Sequence, residues 1–169
     1  VATQGRSFWV IDDLTPLQQL DEDIAESQYY LFDPMPAYRF RQGGWGRANH
    51  LLEGRNHPGG VTIHYGFAED LDSTQSVELR ILEEDGDLVK SWNSETSKGI
   101  KKGAGTHRFN WDMRYPDATS FEGLVLYSAN TKGPVAVPGT YRVELQIGEE
   151  VLTSTFEIEM DPRLEASIE

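Results

Sequence analysis

The chain has 169 residues, of which 28 are acidic and 15 basic, giving a net charge of −13 at neutral pH. That balance excludes the basic footprint of a nucleic-acid binder and disfavours anionic membrane. Cysteine is absent, which excludes thiol nucleophiles, disulfides and Cys-ligated zinc, while seven Phe, seven Tyr and four Trp argue for a folded chain.

The chain begins at Val1, with no charged-then-apolar leader after it, and reads as a mature or excised piece of something longer. Phe8-Trp9-Val10-Ile11 is four apolar residues in a row, the pattern of a strand buried on both faces. Its natural sheet is expected in a part of the protein outside this sequence. Thr15 is placed to N-cap a short helix with Pro16 at its first position and Leu17 and Leu20 on one face. Residues 1–20 are therefore read as a terminal strand plus short helix. An acidic run, Asp21–Glu26, follows. Residues 21–59 read as an extended linker, punctuated by Pro34, Pro36, Pro58 and five glycines from Gly43 to Gly59.

Period-two alternation then takes over. Val61, Ile63, Tyr65 and Phe67 share one parity, as do Val77, Leu79 and Ile81. Asp85-Gly86 supplies the positive-φ positions of a tight hairpin, with Leu88, Val89 and Trp92 on the return. His107, Phe109, Trp111 and Met113 alternate with polar residues. A shorter strand is expected at Leu124–Tyr127. Tyr141, Val143, Leu145 and Ile147 precede a Gly148-Glu149 turn, and Leu152, Phe156, Ile158 and Met160 close the pattern. Crossover helices are missing, so the expected fold is all-β: an Ig-like antiparallel β-sandwich over 60–162, with an N-terminal extension (isolated strand, short helix and linker) and a tail at 163–169. No apolar run approaches the ~20 residues of a transmembrane helix.

Two stretches carry a resemblance. Gly5-Arg6-Ser7-Phe8-Trp9-Val10-Ile11-Asp12-Asp13-Leu14-Thr15-Pro16-Leu17 resembles the closing strand of sortilin-like, BNR-repeat β-propellers in bacterial exported proteins. Gly105–Arg114, followed by Val137-Pro138-Gly139-Thr140-Tyr141-Arg142-Val143, resembles the Ig-like domain of flagellar hook-capping proteins and the sandwich that follows those propellers. Asp161-Pro162-Arg163 after the last strand is similar to that family too. The resemblance implies an extracellular, cell-surface or periplasmic module whose partner is the propeller domain or a neighbouring copy. Proteins of this kind are often labelled glycosyl hydrolases, but the blades that would hold such chemistry are not in this sequence.

Each candidate for chemistry has a plainer reading beside it. His50 and His57 lie in a Gly-rich stretch with Glu53 between them and lack a third convergent ligand. Asp70, Asp72, Asp85 and Asp87, with Glu83 and Glu84, are calcium candidates, but they lack the spacing of a Ca²⁺ loop and suit solvated turns. Tyr38, Arg39, Arg41 and Arg47 offer the residue types of a sialidase-like site without periodicity to preorganise them. Asp112 and Arg114 are positioned to pair across a strand or clip a loop. Tyr29, Tyr30, Trp45 and Trp92 suit either a sugar-stacking platform or a domain interface, and the resemblance favours the interface. Phe8, Trp9, Val10 and Ile11 are association candidates, because an unpaired apolar strand invites pairing with a neighbouring copy. The resulting expectation is a non-catalytic interaction module with no cofactor, no nucleic-acid partner and no membrane insertion. A carbohydrate-binding module, or an accessory domain of a sialidase-like glycoside hydrolase, is the alternative.

Overall fold

The computed structural model describes residues 11, 13–40, 59–97, 99–127 and 130–164. The first element among the described residues is α1, Thr15–Gln19. Leu14, not Thr15, holds the N-cap position, and the Thr15 N–H donates to Asp13 Oδ1 at 2.9 Å. Thr15 is the residue that α1 turns inward, 6% exposed. At about 100° per residue, Leu17 is carried roughly 200° away, and both it and Leu20 are exposed. Helix α2, Glu22–Glu26, starts where Asp21 Oδ1 accepts the Ile24 N–H at 2.8 Å. Glu22 and Asp23 in its first turn favour the positive end of the helix dipole.

Eight strands follow among the described residues: β1 Tyr29–Leu31, β2 Ala37–Arg39, β3 Val61–Phe67, β4 Val77–Glu83, β5 Leu88–Asn93, β6 Gly105–Trp111, β7 Gly139–Ile147 and β8 Glu150–Met160. They form two sheets, ordered β1-β3-β6 and β2-β8-β7-β4-β5. Every pairing is antiparallel except β2 with β8. This is the expected all-β sandwich, in which β1 takes an edge of one sheet and β2 an edge of the other.

The period-two reading holds where strands are long. Val61, Ile63, Tyr65, Val77, Leu79, Ile81, Val143 and Leu145 are buried in one core. Trp111 is fully buried and forms edge contacts with Tyr141 and Phe156, at centroid distances of 5.9 and 6.3 Å. Its indole Nε1 donates to Arg114 O at 3.0 Å, so β6 ends by folding back under its own tryptophan. The Tyr141 hydroxyl donates to Val137 O at 2.8 Å, a tyrosine-corner type of bond that fixes the entry to β7.

Besides the N-cap, three expectations change. Of Asp85-Gly86, only Gly86 has positive φ, at +97°. Gly86 N–H donates to Glu83 O and Glu83 N–H to Asp87 O, at 3.0 and 2.9 Å, so the hairpin carries a three-residue loop closed by glycine. Leu124–Tyr127 is not a strand. It lies in a long β6–β7 loop whose stem is tied by Tyr115 N–H to Pro134 O and Ala118 N–H to Thr131 O. The segment read as a linker supplies α2, β1 and β2, because two three-residue strands are too short to show a period.

Those short strands belong to a strap that crosses the sandwich edge. Gln19 and the Asp33 backbone exchange two hydrogen bonds, of 2.9 and 2.8 Å, joining α1 to the β1–β2 connection. Phe32 and Pro34 in that connection are buried. Ser154 on β8, 7% exposed, donates to Asp33 Oδ1 at 2.6 Å.

Candidate functional site

Among the described residues, the β4–β5 turn and the approach to β7 enclose an open groove of about 400 Å³. Glu83, Glu84 and Asp85 at the β4–β5 turn form one wall, and Val137–Tyr141 form the other. The first wall exists because Gly86 reverses the chain there, and the second because the Tyr141 corner fixes residues 137–141. Tyr115 follows the end of β6 and donates its hydroxyl proton to Glu83 Oε1.

The groove's chemistry is constrained by these bonds. Burial, then the bond to Glu83, holds the Tyr115 hydroxyl pKa well above the ordinary phenol value. Burial also raises that of Tyr141. Both tyrosines keep their protons at neutral pH and donate them to protein acceptors, so neither is a phenolate nucleophile. Three of its lining residues, Glu83, Glu84 and Asp85, are acidic and none is basic, which suits a cationic group better than an anion.

The calcium candidates do not converge. Asp70 Oδ1 accepts the Ala104 N–H at 2.6 Å, tying the β3–β4 loop to the approach to β6. Asp72 Oδ1 accepts from Thr74 N–H and Ser73 Oγ at 2.8 and 3.2 Å, and the Thr74 bonds in particular hold its pKa low. Asp85 Oδ1 accepts the Asp87 N–H at 3.2 Å. The two groups sit at opposite ends of β4, which spans roughly 20 Å. Among the described residues no three His, Asp or Glu side chains gather as a metal site.

The aromatic candidates are divided in the same way. Tyr29 and Tyr30 are neighbours on β1 and so project to opposite faces. Tyr29 packs edge-on against Phe67 at 6.0 Å. Tyr30 lies across Gly66, where a Cβ would fall 2.3 Å from its ring, and meets Thr106 Oγ1 at 3.1 Å. Trp92 is half-buried against Phe109 at 4.8 Å, with Lys90 Nζ 5.6 Å above its ring. Ile11 is 63% exposed. Phe8, Trp9, Val10, Trp45, His50, Glu53, His57, Arg41 and Arg47 lie outside the described residues. Tyr38 and Arg39 are adjacent on β2, so they also face opposite ways; Tyr38 stacks on Phe40 at 5.5 Å.

Of the remaining pairings, only the loop clip by Asp112 and Arg114 was read from sequence. Asp13 Oδ2 lies 3.7 Å from His64 Nε2, bringing the start of the strap onto β3. Burial lowers the His64 pKa, while Asp13 acts to raise it and Arg108 to lower it. Asp161 is 5% exposed and takes a bidentate grip from Arg163, at 2.8 and 2.6 Å. Arg163 also lies 5.3 Å over the Phe40 ring. The Asp-Pro-Arg motif thus locks the end of β8 and covers the ring that follows β2. Arg114 clips the β6–β7 loop, donating to Gly133 O at 2.7 Å, while Asp112 Oδ1 accepts the Arg114 N–H. Asp13 with His64, Arg114 with Gly133 and Arg163 with Phe40 lie 19 to more than a hundred residues apart and left no local signal, whereas Asp161 with Arg163 and Asp112 with Arg114 are two residues apart. No protein-family model matches the chain, and neither does any curated protein.

Proposed function

We propose that this chain is a non-catalytic, Ig-like interaction module of an exported bacterial protein, which fixes a preceding β-sheet domain relative to its own sandwich. What carries the reading is the strap. From Asp13 to Phe40 the chain meets His64 of β3, pairs with β3, bonds Ser154 and pairs with β8. A segment tied to both sheets transmits orientation, where a loose linker would not. The four apolar residues Phe8–Ile11 stand immediately before this strap. Their resemblance to a closing propeller strand supports a propeller as the domain so held, and a cell-surface or periplasmic setting.

The distribution of rings supports the same role. Tyr29, Trp92, Phe109 and Trp111 are spent on packing the sandwich. Backbone amide relaxation of the full chain, together with a screen on fluorogenic glycosides and a glycan array, tests the reading. Residues 15–39 are expected to be as rigid as β7 and β8, with no turnover and no glycan retained. Turnover abolished by replacing Glu83 or Asp85, or a strap that tumbles independently, overturns it.

A further inference from the structure

The β6–β7 loop ends in a segment whose sequence and environment disagree. Leu124-Val125-Leu126-Tyr127 is rich in strand-forming residues, yet it is not in a strand. Its exposure nevertheless alternates as a strand's would. Leu124 is half-buried and Leu126 is 43% exposed, while Val125 and Tyr127 are 90% and 99% exposed. Phe121, at 71%, lies one turn earlier, where Leu124 N–H donates to Phe121 O. The stem beneath is firm: Arg114 bridges Val135, and the Gly133 N–H donates to Asp117 Oδ1 at 3.0 Å. A fixed stem therefore holds out an apolar, strand-prone tip.

We propose that this tip is a self-association site, in which Leu124–Tyr127 pairs antiparallel with the same segment of a second copy about a two-fold axis. Three observations favour a second copy as the occupant. The contact is self-complementary, because an uncharged four-residue segment meets itself without opposing like charges, although the whole chain carries −13. Apart from the Leu124 N–H, its backbone groups make no hydrogen bond within the described chain, and such groups are a template for pairing. With roughly 200 Å² for an aromatic side chain, the exposed parts of Phe121, Val125, Leu126 and Tyr127 come to about 500 Å² per copy, so a two-fold contact that covered all of them would bury at most about 1,000 Å², the lower bound for a specific interface. This inference is independent of the coupling role above.

Light scattering of the full chain, from low to high micromolar concentration, tests it. The mass is expected to rise from 19.1 kDa towards twice that value, and to do so more readily in higher salt, which screens repulsion between acidic copies. Val125→Asp and Val125→Lys each place like charges near the axis and are expected to stay monomeric with an unchanged circular dichroism spectrum. An equimolar mixture of the two restores the doubled mass. Trp9→Ser leaves association intact. A wild-type mass fixed at the monomer value, or a mixture that remains monomeric, overturns the proposal. So does association lost in Trp9→Ser but kept in Val125→Asp, or Val125-dependent binding to phosphatidylcholine vesicles in place of self-association.

Discussion

The side-chain amide of Gln19 pairs with the backbone of Asp33 as a strand residue would, giving one hydrogen bond and taking another, at 2.9 and 2.8 Å. The pair joins α1 to the connection between β1 and β2, and so closes the strap on itself. Gln19→Ala is expected to destabilise the fold by about 1 kcal/mol, since both bonds are neutral and exposed. Gln19→Glu keeps the acceptor for the Asp33 N–H and loses the donor, so its loss is smaller. Urea midpoints of the two variants check the order, and equal midpoints for Ala and wild type would contradict it.

Trp111 fills the centre of the sandwich and satisfies its own indole N–H on Arg114 O. Trp111→Ala removes the ring that meets both Tyr141 and Phe156 and is expected to cost about 3–5 kcal/mol. Thermal unfolding followed by near-ultraviolet dichroism reads both the lost stability and the lost aromatic packing.

Much of this core was legible in the sequence, because β3, β4, β7 and β8 are long enough for inward and outward residues to alternate visibly. His107, Phe109 and Trp111 read as one ring-bearing face, and Phe109 and Trp111 are indeed buried. The strap was not legible. Its strands have three residues each, and its fixings are Asp13 to His64 and Asp33 to Ser154, contacts over about fifty and more than a hundred residues that no local pattern encodes. Leu124–Tyr127 failed for the opposite reason: its local propensity is that of a strand, but no neighbouring strand of the described chain lies beside it. Tyr115, beyond the end of β6, and Glu83, the last residue of β4, sit 32 residues apart and gave no common signal.

Gly66 is the one position on β3 where a side chain would collide with Tyr30, 2.3 Å from its ring. Gly66→Ala is expected to displace that ring, break its contact with Thr106 Oγ1 and destabilise by about 1 kcal/mol. In a Tyr30→Ala background the same substitution is expected to cost less. A double-mutant cycle measures the difference, and strictly additive effects would contradict the close approach.

His64 makes stability depend on pH in a predictable direction. Its side chain is 11% exposed, and burial holds its pKa below the ordinary 6.5. Between the folded and unfolded values, the unfolded chain takes up a proton that the folded chain resists. The full contribution is therefore present above 6.5 and declines as pH falls through that value towards the folded pKa. His64→Gln is expected to flatten this part of the stability profile. Denaturant midpoints between neutral and mildly acid pH test it, and parallel profiles for the two proteins would contradict it.

Amide hydrogen exchange of the strap tests the central claim most directly. If residues 29–31 and 37–39 are integral to the sandwich, their bonded amides exchange only through the same global opening as those of β7 and β8, with matching free energy and denaturant dependence. Exchange of these amides through a smaller opening that leaves β7 and β8 protected would show a detachable segment, unfit to hold a neighbouring domain in place.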